Sequence, residues 1–341
     1  MLHEAFRVAS ITTLLIVALH LLKVAKGNKT GWLPFAFTMS IVLYLIIDWL
    51  QPTNPVVYSI LAIGPILLPV LFWLLSKSIF DDHFKMKSTF FILILIFLLA
   101  HYLFFYLTKI TGISSDIKNL LLLIPKIFSF LFMAFGVWEA ARNRKNDLID
   151  ARLRFRNTFI LVTASLIGIT LIVESIQIAQ STPEILPTIQ KGAIFLLTLS
   201  FIYFNMELDL GFFIRTEKEK TEVVIDSGPQ IAEKISKLLA DEKIYRTEGL
   251  TIGQLAEILK EREYRVRRTI NGQLGFRNFN DFLNKYRVQE ACSILQDSQK
   301  ANLTILEIAY SLGYQSIGPF NKAFKDQTGL TPTAFRKQSL Q

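Results

Sequence analysis

Tyr264, Arg265, Arg267 and Arg268 stand together in the run Glu263-Tyr264-Arg265-Val266-Arg267-Arg268-Thr269-Ile270-Asn271. Three of the four carry a planar guanidinium fork, which pairs bidentately with a guanine edge or with phosphate oxygens. Val266 and Ile270 are four residues apart, the spacing of one buried helix face, so the arginines and the tyrosine fall on the remaining faces. A sparser group lies nearer the C-terminus. Phe320 and Phe324 repeat the inward spacing, and Ser316, Asn321, Lys322 and Lys325 are left outside. Ser316 also reads as an N-cap, with Pro319 in the first turn, where a missing N–H costs little. Such side chains on a helix face contact phosphates and base edges. A charged helix face is more often merely solvated, so the reading needs an element that aims it.

That element occurs twice. Thr251-Ile252-Gly253-Gln254-Leu255-Ala256 and Thr304-Ile305-Leu306-Glu307-Ile308-Ala309 each open with a capping threonine, and Gln254 or Glu307 completes a capping box three residues on. Leu255-Ala256 and Ile308-Ala309 face inward, with Leu259 and Leu312 one turn later; the second copy turns at Gly313. A short helix, a tight turn and a charged helix, repeated, predict a tandem helix-turn-helix, a DNA-binding architecture. Between the copies Asn278 caps a longer helix that ends near Leu295 and reads as a rigid spacer, with Phe282, Leu283, Tyr286 and Ala291 inward. Thr331-Pro332 opens a last short helix carrying Phe335 and Arg336.

Ile-x-Glu-Ile-Ala-x-x-Leu-Gly-Tyr-x-Ser at 305–316, Phe-x-Lys-Ala-Phe-Lys at 320–325, Gly-Leu-Thr-Pro at 329–332 and Phe335-Arg336 resemble the signature of the arabinose-regulator (AraC) family of bacterial transcription factors. Leu255-Ala256, Asn278-Phe279, Phe282-Leu283-Asn284 and Tyr286-Arg287 fit the same pattern. The resemblance implies two major-groove recognition helices joined by a long helix. It also implies promoter DNA as partner, RNA polymerase as a second partner for an activator, and an N-terminal domain that binds an effector or mediates dimerisation. The second recognition helix departs from the pattern: it begins Ile317-Gly318-Pro319, where family members often place polar base-reading side chains. Readout there rests on Asn321 and Lys322.

The remainder of the chain is unlike a soluble regulator. Apolar residues make up 51% of the 341 and mean hydropathy is +0.39. The excess lies in residues 1–206, where seven apolar segments can be marked at 5–24, 31–50, 56–75, 88–107, 119–138, 158–179 and 192–205. A membrane-crossing helix needs about 20 apolar residues, and most of these segments supply them. The first has no basic n-region and is not a convincing signal peptide. Alternate connections carry twelve basic residues (Lys23, Lys26, Lys29, Lys77, Lys85, Lys87, Arg142, Arg144, Lys145, Arg152, Arg154 and Arg156), against four (Arg7, Lys109, Lys118 and Lys191) in the others. Basic loops face the cytoplasm. The expected fold class is therefore all-α: a seven-helix transmembrane bundle (1–206), a cytoplasmic linker (207–229) and a cytoplasmic all-α tandem helix-turn-helix domain (230–341). The expected location is the bacterial cytoplasmic (inner) membrane, with the N-terminus outside.

The net charge of +9 suits contact with nucleic acid or an anionic lipid face. From Pro229 onward there are 17 Lys+Arg against 12 Asp+Glu, a modest excess that does not by itself indicate DNA binding. The run Arg215-Thr216-Glu217-Lys218-Glu219-Lys220-Thr221-Glu222 reads as a solvated linker or as a stalk continuing the seventh helix, and Asp226-Ser227-Gly228-Pro229 as a turn or break. Gln230 to Leu239 is amphipathic through Ile231, Ile235, Leu238 and Leu239, and should pack on the DNA-binding domain or on a second copy, making a homodimer.

Ionisable groups inside apolar segments are Asp48, His101, Lys126 and Glu174, all in the outer half of the membrane for this orientation. They either line a polar cavity for a small extracytoplasmic ligand or pair internally to fix the bundle. The lone Cys292 excludes an intramolecular disulfide and a cysteine metal cluster. There is no metal-ligand spacing, no phosphate-binding glycine loop and no nucleophile–base pair, so neither a cofactor nor an enzymatic activity is expected. The rival expectations are a transporter or enzyme-like bundle with a regulatory tail, and a passive anchor that docks a separate membrane sensor.

Overall fold

The computed structural model describes residues 2–24, 31–47, 55–108, 114–142, 144–150, 152–153, 155–160, 162, 188–189, 191–196, 199 and 228–339. Among these the regular elements are helical; the sole β pairing is an isolated antiparallel bridge between Asp147 and Asn278. The chain divides into two compact units. One is Met1–Arg142 with Arg154–Glu219, the other Asn143–Leu153 with Lys220–Gln341.

The first unit contains α1 (Leu2–Val24), α2 (Trp32–Ile47), α3 (Pro55–Phe80), α4 (Ser88–Leu107) and α5 (Ser115–Ala141). Helices within α1, α3, α4 and α5 are long and apolar enough to cross a membrane; α2 is apolar but shorter. The expected sixth and seventh crossings, at 158–179 and 192–205, lie largely outside the described residues, as do Asp48, Glu174 and linker residues 207–227. Hydroxyls in the apolar helices satisfy themselves locally: Thr38 donates to the Pro34 carbonyl at 2.8 Å and Ser76 to that of Phe72 at 2.8 Å. The core gathers around α3, where Leu33, Val70, Leu74, Phe97 and Phe155 are buried. Rings fill it: Phe72 stacks on Phe159 with centroids 5.4 Å apart, and Trp73 meets Phe132 at 5.6 Å. Gly136 makes the α3–α5 approach possible, because a Cβ there would overlap the Phe72 ring. Arg156 closes the end of α5. It is fully buried, donates from Nη1 to the Ala140 carbonyl (2.9 Å) and the Arg142 carbonyl (2.6 Å), and lies over the Phe80 ring. A cation on the last carbonyls of a helix answers both their lone pairs and the macrodipole.

The second unit contains α6 (Gly228–Ala240), α7 (Ile252–Leu259), α8 (Glu263–Gly272), α9 (Phe279–Gln296), α10 (Ile305–Ser311), α11 (Ile317–Thr328) and α12 (Pro332–Ser339). Of the turn or break expected at Asp226–Pro229, Gly228 and Pro229 form the first turn of α6, where proline is tolerated, and Asp226 and Ser227 lie outside the described residues. Two cores meet along α9. Phe279, Phe282 and Leu283 join Ile231, Ile235, Leu239, Leu255, Val266 and Ile270 in the first. Val288, Ala291 and Leu295 join Ile308, Leu312, Phe320 and Phe324 in the second. Leu148, remote in sequence, is buried in the first core.

Between the cores lies a polar clasp. Arg287, buried on α9, donates from Nε to the Tyr245 carbonyl (2.6 Å) and from Nη2 to the Thr247 carbonyl (3.0 Å), with its guanidinium 5.1 Å from the Tyr314 ring centroid. One turn on, Glu290 accepts from Lys243 Nζ (2.7 Å), the Tyr245 hydroxyl (3.1 Å) and Arg246 Nε (2.9 Å). The Arg246 hydrogen bond, against the opposing cost of burial, and the bonds from Lys243 and Tyr245 hold the Glu290 carboxyl down to about 2. Burial first, then the Glu290 charge, push the Tyr245 phenol up to about 12.

Two outcomes are expected. Gly136→Leu should destabilise the first unit by roughly 1–3 kcal/mol through overpacking, lowering the melting temperature of the detergent-solubilised protein. The same change at exposed Ala134 should leave it unmoved. Glu290 binds its proton more weakly in the folded protein than in the unfolded chain. The stabilisation is therefore complete above about pH 4.5 and is lost as pH falls toward about 2. Amide exchange of α9, corrected for intrinsic rates, should show that acid limb. Glu290→Gln should remove it and cost roughly 1–2 kcal/mol at neutral pH, since its cationic partners are half exposed.

Candidate nucleic-acid interface

Both helix-turn-helix units open on the same local device. Thr251 Oγ1 accepts from the Gln254 amide at 3.3 Å while Gln254 Oε1 accepts from the Thr251 amide at 2.9 Å. Thr304 and Glu307 repeat the exchange at 3.1 and 2.7 Å. The backbone bond from Thr304 holds the Glu307 carboxyl below its ordinary range. These boxes fix the starts of α7 and α10, whose Leu255, Ala256, Ile308 and Ala309 are buried. The turns that follow differ. The first runs through Lys260 in the left-handed region (φ 54°), the second through Gly313 (φ 83°). A Cβ on Gly313 would collide with the Arg246 carbonyl and come within 3.1 Å of Arg287 Nη2, so glycine is required there for space as well as for φ.

On α8, Val266, Thr269 and Ile270 are buried, as the spacing predicts. Tyr264 and Arg268 are exposed. Arg265 is part-buried, with Nη1 2.9 Å from Glu261 Oε2. Arg267 retains only 12% side-chain exposure. Its Nε donates to Glu263 Oε1 at 2.9 Å, its Nη2 to the same oxygen and its Nη1 to the Asp147 carbonyl. Arg268 Nε stands 3.5 Å from Asp150 Oδ2. On α11, Phe320 and Phe324 are buried while Ser316, Asn321, Lys322 and Lys325 are exposed. Ser316 holds the N-cap position, but its hydroxyl makes no capping bond. The sequence marks α8 as the richer reader; the structure finds its arginines engaged, and the polar groups of α11 facing outward.

The ionisable residues of the apolar segments are only partly within the described residues. His101 on α4 is flanked by Phe97, Ala100, Phe104, Pro125 and Phe128, an apolar surround rather than the polar one expected. Lys126 on α5 is exposed. Asp48 and Glu174 lie outside the described residues. Cys292 is half-buried against the second core, and burial pushes its thiol up, as a structural cysteine requires. Among the described residues no group of His, Cys, Asp and Glu is placed to hold a metal ion. Two features escaped the sequence reading. The Arg287 clasp joins residues 42 positions apart, and the contact of 147–152 with α8 spans 120 positions at Arg267. Local periodicity carries no signal for either.

Residues 255–338 match the helix-turn-helix domain family. The crystal structure of a DNA-binding transcriptional dual regulator from Escherichia coli K-12 is similar at 18% identity and a TM-score of 0.26, covering 35% of this chain and 98% of that one. No curated protein matches the chain. With its two capped turns, inward apolar pairs and family match, the C-terminal region is an AraC-type helix-turn-helix domain, the DNA-binding part of a transcription regulator.

Proposed function

We propose that the protein is a membrane-spanning transcription regulator: its first unit crosses the bacterial cytoplasmic membrane and its helix-turn-helix domain binds promoter DNA on the cytoplasmic side. One observation carries this reading, the joining in a single chain of a DNA-binding domain to helices with outward apolar faces. On α4 the exposed side chains include Phe91, Ile92, Leu95, Ile96, Leu99 and Leu103. Its 20 residues suit a hydrocarbon core that takes about 20 helical residues to cross. Such a face is adverse in water and neutral in lipid. The seven-crossing count and the inward C-terminus are supported by the alternating loop charges. The role is regulatory rather than catalytic.

In this reading Tyr264, Arg265, Arg267 and Arg268 of α8 enter one major-groove face. Ser316, Asn321, Lys322 and Lys325 of α11 enter the next. Lipid surrounds the first unit, a second copy makes a homodimer, and RNA polymerase is the further partner of an activator. Asp48, His101, Lys126 and Glu174 are the polar groups offered to a small extracytoplasmic ligand. The aromatic surround of His101 favours a second reading, in which the first unit anchors the regulator and docks a separate membrane sensor.

A reporter fused after Arg215 should be active in the cytoplasm; activity only in the periplasm overturns the topology. In equilibrium binding by the full-length protein, Lys322→Ala should weaken random and selected duplexes alike. It should also lower the slope of log K against log salt by about 0.9, one phosphate contact. Asn321→Ala should cost about 1–3 kcal/mol on the selected duplex and little on random DNA; equal losses on both would make it a backbone contact.

A further inference from the structure

The stretch that follows α5 is more than a connection. Residues 143–153 group with the second unit, although the chain leaves the first unit at Arg142 and rejoins it at Arg154. The stretch holds its own shape: Arg152 Nε donates to Asp147 Oδ2 at 2.6 Å, both side chains buried, and the Ile149 amide donates to Asp147 Oδ1 at 3.1 Å. It is also docked. Asp147 bridges Asn278, the Leu148 amide donates to the Arg277 carbonyl at 3.0 Å, and Leu148 is buried with Ile235, Leu255, Val266 and Phe279. This docking brings two acceptors onto α8. The Asp147 carbonyl accepts a hydrogen bond from Arg267 Nη1, and the Asp150 carboxylate faces Arg268 at 3.5 Å. A carbonyl oxygen and a carboxylate thus satisfy guanidinium groups that phosphate oxygens would otherwise take.

We propose that segment 147–152 is a built-in competitor of DNA for the first reading head, covering Arg267 and pairing with the exposed Arg268 when docked and leaving α8 when DNA binds there. The proposal rests on α8 being a DNA reader, as argued under Proposed function. The competition follows from the chemistry of the two occupants. Arg267 has given every nitrogen of its guanidinium to Glu263 and Asp147. The Asp147 charge is answered by Arg152, whereas Asp150 answers Arg268 directly and sets a carboxylate in the path of a polyanion. The outward groups of α11 are not involved, so in the docked state DNA is held by the second head alone. Since the chain on both sides of residues 143–153 belongs to the apolar unit, a change there reaches the first head along the chain itself.

The test uses the full-length protein in detergent micelles and a random-sequence DNA duplex at low salt. In the wild-type protein, saturating duplex should speed hydrogen exchange of the peptide holding the Leu148 amide, because its bond to Arg277 is lost. Leu148→Ala and Asp150→Asn loosen the docking from its apolar and charged sides. Each should tighten duplex binding about fivefold or more, as the competent fraction rises. Each should also steepen the salt slope by up to about 2, for two recovered phosphate contacts. A purely structural segment gives the opposite result: it stays protected on DNA, and Leu148→Ala weakens binding. Binding with the segment still protected overturns the competition alone. If Arg267→Ala with Arg268→Ala leaves binding by the Leu148→Ala protein unchanged, α8 is not a reader and both readings fall.

Discussion

The two reading heads share α9, and their mutual geometry depends on what grips that helix at its middle. Arg287 does so. Its guanidinium is taken out of water and is satisfied from both directions, by the carbonyls of Tyr245 and Thr247 ahead of the first head and by the ring of Tyr314 in the second. Arginine suits this position because it keeps its charge when buried and presents several donors in a fixed plane. Lysine would bring one ammonium point and could not serve two carbonyls and a ring at once. Major-groove faces on one side of a duplex recur about every 34–36 Å, so a tandem reader with a loose hinge would hold one face at a time. The clasp also explains why the second turn needs glycine. Arg246 and Arg287 occupy the space that any Cβ at position 313 would enter.

The heads differ in electrostatics, not in architecture. Each arginine of α8 already faces an acidic side chain: Glu261 for Arg265, Glu263 for Arg267 and Asp150 for Arg268. On α11, the side chains of Asn321 and Lys322 are exposed and make no hydrogen bond or ion pair within the described residues. Engaging α8 therefore exchanges one set of charge-assisted bonds for another, and the net gain is the difference. Engaging α11 exchanges only water and counterions. In the reading proposed for α8, the first head has more to offer a specific sequence and more to give up in reaching it.

The parts legible in the sequence are those governed by short-range rules. The capping boxes at Thr251 and Thr304, the inward pairs Val266–Ile270 and Phe320–Phe324, and the start of α9 after Asn278 follow from local spacing, and the structure contains each of them. The reading falters where a local rule meets distant packing. Gly228-Pro229 has the composition of a break, yet proline in a first helical turn is compatible with the helix that α6 forms. Arg152 and Arg156 enter the sequence as loop charges. In the structure both are buried, one paired with Asp147, the other capping α5, and charge counting has no means of separating a solvated arginine from a buried one. His101 carries the label of a polar group in an apolar helix, but its neighbours, from α4 and α5, are apolar and mostly rings.

The Asp147–Arg152 pair bears most directly on how segment 147–152 acts. A buried ion pair contributes little net stability, because desolvation offsets most of the attraction, although losing one partner is costly. Its usual return is conformational definition. Here the pair, with the Ile149 amide on the same carboxylate, gives the segment one shape. That shape sets the Asp147 carbonyl and the Asp150 carboxylate toward Arg267 and Arg268. Docking itself includes one leucine in the core, the pairing of Asp147 and Leu148 with Arg277 and Asn278, a bond from Arg152 Nη2 to the Arg277 carbonyl (3.5 Å), and two arginine contacts that DNA can replace. A stiff segment is what such a switch needs, since it leaves as a body rather than fraying, and the arginine contacts that a polyanion can take over are part of its hold.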